Sequence, residues 1–161
     1  MNADTERQQR RLLTLAASAS VATALVLIAV KTVAWMMTGS VSLLASLVDS
    51  VMDSLASLMN FAAIRYSLVP ADKEHRFGHG KAEALAGLGQ AVLIGGSALY
   101  LLKEAVLKLS EPAPLEATAL GVGVMVFSIL LTALLLLLQR YVVRRTGSTA
   151  IDADALHYVS D

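Results

Sequence analysis

Residues 117–139 read ATALGVGVMVFSILLTALLLLLQ and contain no charged side chain. Two further stretches of 19 residues each, 12–30 and 84–102, also lack charged side chains. An α-helix needs roughly 20 apolar residues to cross the hydrocarbon core of a bilayer. The 161-residue chain is 56% apolar and only 16% charged, whereas soluble domains carry about 25% charged residues. The sequence therefore predicts an all-α fold, a polytopic transmembrane helix bundle whose surroundings are the lipid bilayer.

The composition excludes several classes of protein. Thirteen basic and 13 acidic side chains give a formal charge of zero, and a nucleic-acid-binding protein would need a basic stripe. We therefore expect no nucleic-acid partner. The absence of cysteine excludes a disulfide framework and any thiolate metal site. The long uncharged blocks exclude a soluble enzyme, and we expect neither enzymatic activity nor a prosthetic group.

Four complete spans are predicted, at residues 12–37, 41–66, 83–107 and 115–140. Gly39 lies in the break between the first two spans, and Pro70 follows the second. Pro112 and Pro114 lie between the third and the fourth. Proline disfavours a helix that continues through its own position, so these two prolines indicate a break between the helices.

A fifth helix is predicted over residues 148–161, with Ser148 or Thr149 as its N-cap. Fourteen helical residues rise about 21 Å, which is less than the hydrocarbon thickness of roughly 30 Å. A chain end at that depth would leave carbonyl groups and a carboxylate without partners. We therefore expect the sequence to be the N-terminal part of a longer protein.

Basic residues are concentrated on one side of the predicted spans. Ten of the 13 lie in the N-terminal segment, the second connection or the fourth connection: Arg7, Arg10, Arg11, Arg65, Lys73, Arg76, Lys81, Arg140, Arg144 and Arg145. Short connections rich in Lys and Arg stay on the cytoplasmic side of a membrane. The sequence therefore predicts a cytoplasmic N-terminus.

Two carboxylates lie near the middle of the second span, in residues 44–60, LASLVDSVMDSLASLMN. Asp49 and Asp53 are four residues apart, so they share one helix face. An ionisable group at that depth costs about 2.5–3.5 kcal/mol, and two adjacent carboxylates repel unless a cation or protons neutralise them. Hydrogen bonds to serines of a helix bundle are the alternative. The spacing favours a cation or proton site. Serines at four-residue spacing on this helix indicate close helix packing: Ser42, Ser46, Ser50 and Ser54.

The same four-residue spacing recurs at His157 and Asp161 in the fifth helix. Taken alone this pair is weak evidence, because the helix could simply be amphipathic. Facing Asp49 and Asp53, however, it would complete a set of three carboxylates and one imidazole, enough for a tetrahedral shell around a divalent cation. Without sulfur ligands, such a site should accept zinc, ferrous iron, cadmium or manganese.

A second cluster, Asp72, His75 and His79, lies in residues 71–83, ADKEHRFGHGKAE. Spacings of three and four would place these side chains on one face of a helical turn, although Gly78 and Gly80 favour a loop. Three oxygen and nitrogen ligands with water would form a labile metal site. A polar loop with two exposed histidines accounts for the same residues, and both interpretations stay open at this point.

One lysine, Lys31, lies inside the first span. It either extends along the helix to the polar boundary or marks an internal cavity. Long basic side chains commonly keep their charged end in water in this way. We therefore expect Lys31 to snorkel outward.

Together these segments resemble the cation diffusion facilitator family, and most closely its bacterial efflux pumps for ferrous iron, zinc and cadmium. The resemblance rests on three segments of the sequence: TGSVSLLASLVDSVMDSLASLMN (38–60), RYSLVPADKEHRFGHGKAEALA (65–86) and DADALHYVSD (152–161). It implies a transport site made of four residues: Asp49, Asp53, His157 and Asp161. It also implies a second metal site, in the cytoplasmic loop, made of three: Asp72, His75 and His79.

The resemblance further implies a homodimer, with six transmembrane helices per protomer followed by a cytoplasmic ferredoxin-like domain. This sequence ends at Asp161, so the rest of helix five, helix six and that domain are not in it. The first ligand is Asp49, where strict zinc carriers of the family often have His, and this implies a broader cation range.

The implied function is efflux of divalent cations across the bacterial cytoplasmic (inner) membrane by metal/proton antiport. Zn²⁺, Fe²⁺ or Cd²⁺ would bind as substrates, and protons would move in exchange. Three alternatives belong to other classes: a proton-uncoupled cation channel, a non-transporting fragment of such a carrier, and an intramembrane metalloprotease. The protease would need a motif such as HExxH, which this sequence lacks.

Overall fold

Five α-helices make up the part of the chain that the computed structural model describes, residues 3–110 and 119–160. They are α1 (Ala3–Thr38), α2 (Val41–Ser67), α3 (Lys81–Ser110), α4 (Ala119–Thr146) and α5 (Thr149–Ser160). No strand occurs within these two ranges. Four segments are long and apolar enough to cross a membrane: Asp4–Thr38, Val41–Ser67, Lys81–Tyr100 and Ala119–Thr146. The predicted all-α transmembrane bundle is therefore confirmed.

The helices differ from the predicted spans mainly at their ends. Helix α1 begins at Ala3 and not near residue 12, and α4 continues to Thr146, beyond the predicted end at residue 140. The added turns carry arginines, because a helix can continue from hydrocarbon into the polar boundary, where charged side chains meet water and headgroups. The predicted start of the fourth span at residue 115 lies outside the described residues, as do the two prolines before it.

Two glycines end helices with a left-handed backbone conformation. Gly39 has φ +64° and donates its N–H to the Trp35 carbonyl at 2.7 Å. Gly147 has φ +67° and donates to the Val143 carbonyl at 2.8 Å. Glycine adopts this conformation without the steric cost that a Cβ atom would add. Each short connection lets the next helix fold back, and α5 then starts with the predicted N-cap, since Ile151 N–H donates to Ser148 Oγ at 3.2 Å.

All five helices contribute to one apolar core. Its buried members are Leu13, Ala16, Ala17, Ile64, Ala86, Val142, Ala150 and Ile151. The core lies at the end of the bundle that holds the start of α1, α3 and α5 and the end of α2 and α4. Most large apolar side chains of α4 are instead exposed, among them Ile129, Leu130, Leu134 and Leu137, as expected of a helix whose solvent is hydrocarbon.

Candidate metal centres

Asp53 of α2 and His157 of α5 meet inside the bundle. The Nε2 atom of His157 lies 3.3 Å from Oδ1 of Asp53, and their side chains are 5% and 15% exposed, respectively. The meeting depends on α5, which packs against α2, α3 and α4. A carboxylate and an imidazole at this separation offer one oxygen and one nitrogen ligand to the same cation.

Asp49 lies one helical turn from Asp53 and is exposed at the surface of the described bundle. Its carboxylate interacts electrostatically with Asp53, with Lys31 and with His157. The fourth predicted ligand, Asp161, lies outside the described residues. The structure therefore places three of the four predicted transport-site residues in one region of the bundle, with Asp53 and His157 in direct contact.

The ammonium group of Lys31 joins α1 to this region. Its Nζ atom donates to Ser50 Oγ at 2.6 Å and to the Ser46 carbonyl at 3.2 Å. The expectation that Lys31 snorkels to the polar boundary is therefore wrong. A buried hydroxyl and a backbone carbonyl of α2 provide hydrogen-bond acceptors within reach, so the charge stays between the two helices.

Asp154 is a buried polar residue that the sequence patterns did not single out. It is 0% exposed and accepts hydrogen bonds from three other helices. Ser20 Oγ of α1 and Gln139 Nε2 of α4 each donate to Oδ2 at 2.7 Å, and Gln90 Nε2 of α3 donates to Oδ1 at 3.2 Å. A buried carboxylate needs such donors, because without them it is strongly destabilising.

Helix α2 joins the same network through Ser57. Its hydroxyl lies 3.0 Å from Ser20 Oγ and 2.9 Å from Tyr158 Oη. Every helix is thus tied to α5, which fixes the rotation of α5 about its own axis. His157 follows Asp154 by three residues, so it lies on a neighbouring position of the same helix surface. The depth argument that identified Asp49 and Asp53 extends to Asp154 in the predicted fifth helix, but it would also have selected Asp152, which is exposed.

The cluster Asp72, His75 and His79 lies in the loop between α2 and α3. One ligand atom from each of the three lies within 4.8 Å of the other two. Asp72 Oδ1 is 3.1 Å from His75 Nδ1, and Asp72 Oδ2 is 3.6 Å from His79 Nε2. The segment is not helical, as Gly78 predicted: this glycine has φ +76° and donates its N–H to the His75 carbonyl.

Backbone hydrogen bonds orient Asp72. Its Oδ1 atom accepts the N–H of His75 at 2.6 Å and the N–H of Glu74 at 3.0 Å. The His75 backbone bond is the largest cause that lowers the pKa of Asp72 below its ordinary value. The carboxylate therefore stays ionised in mildly acidic solution, and the ionised form is the one that binds metal.

His79 is the buried member of the loop cluster, with a side chain only 3% exposed. Its Nδ1 atom lies 3.3 Å from the Val69 carbonyl, and the Tyr66 ring packs edge-on against the imidazole at 4.5 Å. When Nδ1 donates to that carbonyl, Nε2 keeps its lone pair and faces Asp72. Metal-binding histidines are commonly held in this way. The alternative of two exposed histidines is wrong for His79.

The chain is similar to known proteins over most of its length. Residues 17–161 match the family described as "cation efflux transmembrane domain". The chain is 55% identical over 147 residues to the cation-efflux pump FieF of Shewanella oneidensis, covering 91% of this chain and 50% of that protein. Over 151 residues it is 52% and 54% identical to pumps with the same name from Salmonella arizonae and Pectobacterium carotovorum, covering 94% of this chain and 50% of each pump. The chain thus spans about half the length of these relatives.

Proposed function

The chain belongs to the cation efflux transmembrane domain family, and on this premise we propose that the whole protein exports divalent metal cations in exchange for protons. The observation that carries the proposal is the contact of 3.3 Å between His157 Nε2 and Asp53 Oδ1. Ionisable groups are rare among apolar membrane helices and mark ion pathways there. The relatives are pumps by name, and we accordingly assign transport, not catalysis, to this chain.

The proposed transport site consists of Asp49, Asp53, His157 and Asp161. Oxygen and nitrogen ligands without sulfur suit Zn²⁺, Fe²⁺ and Cd²⁺, and geometry more than raw affinity decides among such ions. The ion is the transported substrate in this account and not a resident cofactor. Helix α5 carries His157, so its position relative to α2 decides whether this ligand meets Asp53.

Protons enter the cycle through the same atoms. Carboxylates and imidazoles bind metal only after they lose their protons, so metal binding releases protons and protonation releases metal. We propose that the bundle alternates between a state open to the cytoplasm, which takes up metal, and a state open to the outside, where protons displace it. Proton return then resets the carrier.

The loop cluster is proposed as a second metal site. Asp72 and His75 have half-exposed side chains, at 50% and 48%, while His79 is buried. Three protein ligands leave a coordination position for water, and a site of this kind exchanges its metal readily. The basic residues of the same connection favour its location on the cytoplasmic side, where it could bind metal before transport.

We further propose that the protein lies in the bacterial cytoplasmic (inner) membrane as a homodimer with a cytoplasmic N-terminus. The arrangement of basic residues supports the orientation. The exposed apolar side chains of α4 support contact with lipid or with further membrane helices. The two proposed metal sites would then lie at different depths of one protomer.

Zinc uptake into proteoliposomes that contain the full-length protein tests proton coupling. An imposed pH gradient should drive uptake, and an ionophore that exchanges protons for potassium should abolish this stimulation. Uptake that does not depend on the gradient would indicate a channel and would contradict the antiport proposal. Empty liposomes treated in the same way give the background leak.

A further inference from the structure

Lys31 carries a positive charge into the region where the proposed transport site would bind a cation. Its Nζ atom donates to Ser50 Oγ at 2.6 Å and to the Ser46 carbonyl at 3.2 Å. Ser50 is only 1% exposed and directly follows Asp49, while Ser46 lies one turn earlier on the same helix. The ammonium is therefore held against the turn of α2 that carries Asp49.

We propose that Lys31 is the built-in counter-cation of the transport site, which weakens divalent-metal binding and thereby speeds metal release. This inference rests on the transport function proposed above. Asp49 interacts electrostatically with Lys31, so the carboxylate shares its charge between the ammonium and any bound metal. A metal ion held by Asp49 and Asp53 is also repelled by the ammonium directly.

The ammonium also offsets part of the negative charge of the site before a metal ion arrives. Asp49 and Asp53 are two carboxylates one turn apart, and Lys31 is held against the turn that carries Asp49. Lys31 thus lowers the affinity of the site for cations and does not need to touch the metal.

The expected size of the effect follows from Coulomb's law. A unit charge and a divalent cation within roughly 10 Å of each other, at an effective dielectric constant of about 20–40, repel strongly enough to change a binding constant by tenfold or more. Hydrogen bonds to Ser50 and Ser46 hold the ammonium at this position, so the repulsion is not averaged away by motion of the side chain. Removal of the charge should therefore tighten metal binding.

A Lys31→Gln variant of the full-length protein separates this role from a purely structural one. Glutamine keeps a donor for Ser50 but removes the charge. We expect the Kd for Zn²⁺, measured by calorimetry, to fall at least tenfold, and the maximal rate of zinc transport to fall as well. Loss of a merely structural contact between α1 and α2 would instead weaken binding or leave it unchanged, and either result overturns the proposal.

Two companion variants complete the test. Lys31→Arg keeps the charge and should bind Zn²⁺ with nearly the wild-type Kd, whereas Lys31→Met removes the charge and the donor and should also bind more tightly. An Arg variant that binds as tightly as the Gln variant would contradict the role of charge. Asp53→Ala distinguishes the two proposals: if it keeps zinc binding at both the loop site and the transport site, the transport site itself is misassigned. If it keeps only the loop-site binding while Lys31→Gln does not tighten the transport-site binding, only the inference about Lys31 fails.

Discussion

His157 Nε2 and Asp53 Oδ1 lie 3.3 Å apart, on helices α5 and α2, which are separated in the sequence by α3 and α4. The contact requires α5 to turn one particular face toward α2. That rotation is set by hydrogen bonds to Asp154 from Ser20, Gln90 and Gln139. The buried network around Asp154 therefore positions α5. The proposed transport site depends on that position, because His157 lies on α5.

Asp154→Ala should destabilise the bundle by about 2–4 kcal/mol. The substitution removes the acceptor that three buried donors share, and an unsatisfied buried donor is costly. Ser20 and Gln90 each keep a second acceptor, Ser57 Oγ and the Ala56 carbonyl, so the cost falls mainly on Gln139. Asp154→Asn keeps one carbonyl oxygen as an acceptor and should lie between wild type and alanine. Thermal unfolding in detergent, followed by circular dichroism, measures the difference.

The matched control for Asp154 is Asp152→Ala, an exposed acidic residue on the same helix. Exposed substitutions of this kind usually change stability by less than about 0.5 kcal/mol. Equal unfolding midpoints for Asp154→Ala and Asp152→Ala would show that the network does not stabilise α5.

Asp72→Asn should weaken Zn²⁺ binding at the loop site by the same factor at pH 7 and at pH 5.5. The pKa of Asp72 is lowered by the backbone N–H of His75, so the wild-type carboxylate is ionised at both pH values. The contribution of the Asp72 carboxylate to Zn²⁺ affinity is lost only as the pH falls through that lowered pKa. Absolute affinity should still decline in both proteins between pH 7 and 5.5, because imidazole ligands take up protons in this range.

Calorimetric titration with Zn²⁺ at the two pH values measures the ratio of the affinities with and without the Asp72→Asn substitution. Both proteins carry Asp53→Ala, which removes binding at the transport site. A ratio that shrinks toward one at pH 5.5 would mean that Asp72 is already protonated there. Lys73→Ala, an exposed substitution in the same loop, provides the control for nonspecific effects.

Gly147→Ala should destabilise the protein by about 1 kcal/mol, because its φ of +67° is strained for a residue with a Cβ atom. Gly95→Ala should instead stabilise the protein. Gly95 lies within α3, a Cβ atom added there would meet nothing within 4 Å, and alanine is the better helix former by about 0.5–1 kcal/mol. Thermal unfolding of both variants checks the contrast, and a shift in the same direction for both would contradict it.

Much of the fold follows from the sequence, because three of the four spans contain an uncharged stretch of 19 residues or more and each break contains glycine or proline. The loop cluster was also predictable, since its three residues are close in sequence. The hydrogen-bond partners of Asp154 and of Lys31 could not be predicted from the sequence. Ser20, Gln90 and Gln139 lie on three separate helices, and their meeting depends on helix rotations that no spacing within one helix reveals.

The orientation of the Lys31 side chain also could not be predicted from the sequence. A lysine in a membrane-spanning helix can extend to water or turn toward a neighbouring helix, and the α1 sequence alone is compatible with both. The deciding feature is the position of Ser46 and Ser50 on α2 relative to α1, which is a property of the packed pair.

The most direct test of the central claim is zinc-driven proton movement in proteoliposomes that contain the full-length protein with Asp53→Ala. A pH-sensitive dye inside the vesicles reports protons when Zn²⁺ is added outside, and Asp152→Ala is the matched control. If Asp53 is a transport ligand, Asp53→Ala should lower the initial rate at least tenfold while Asp152→Ala retains most of it. Full zinc-driven proton movement in Asp53→Ala would contradict the account.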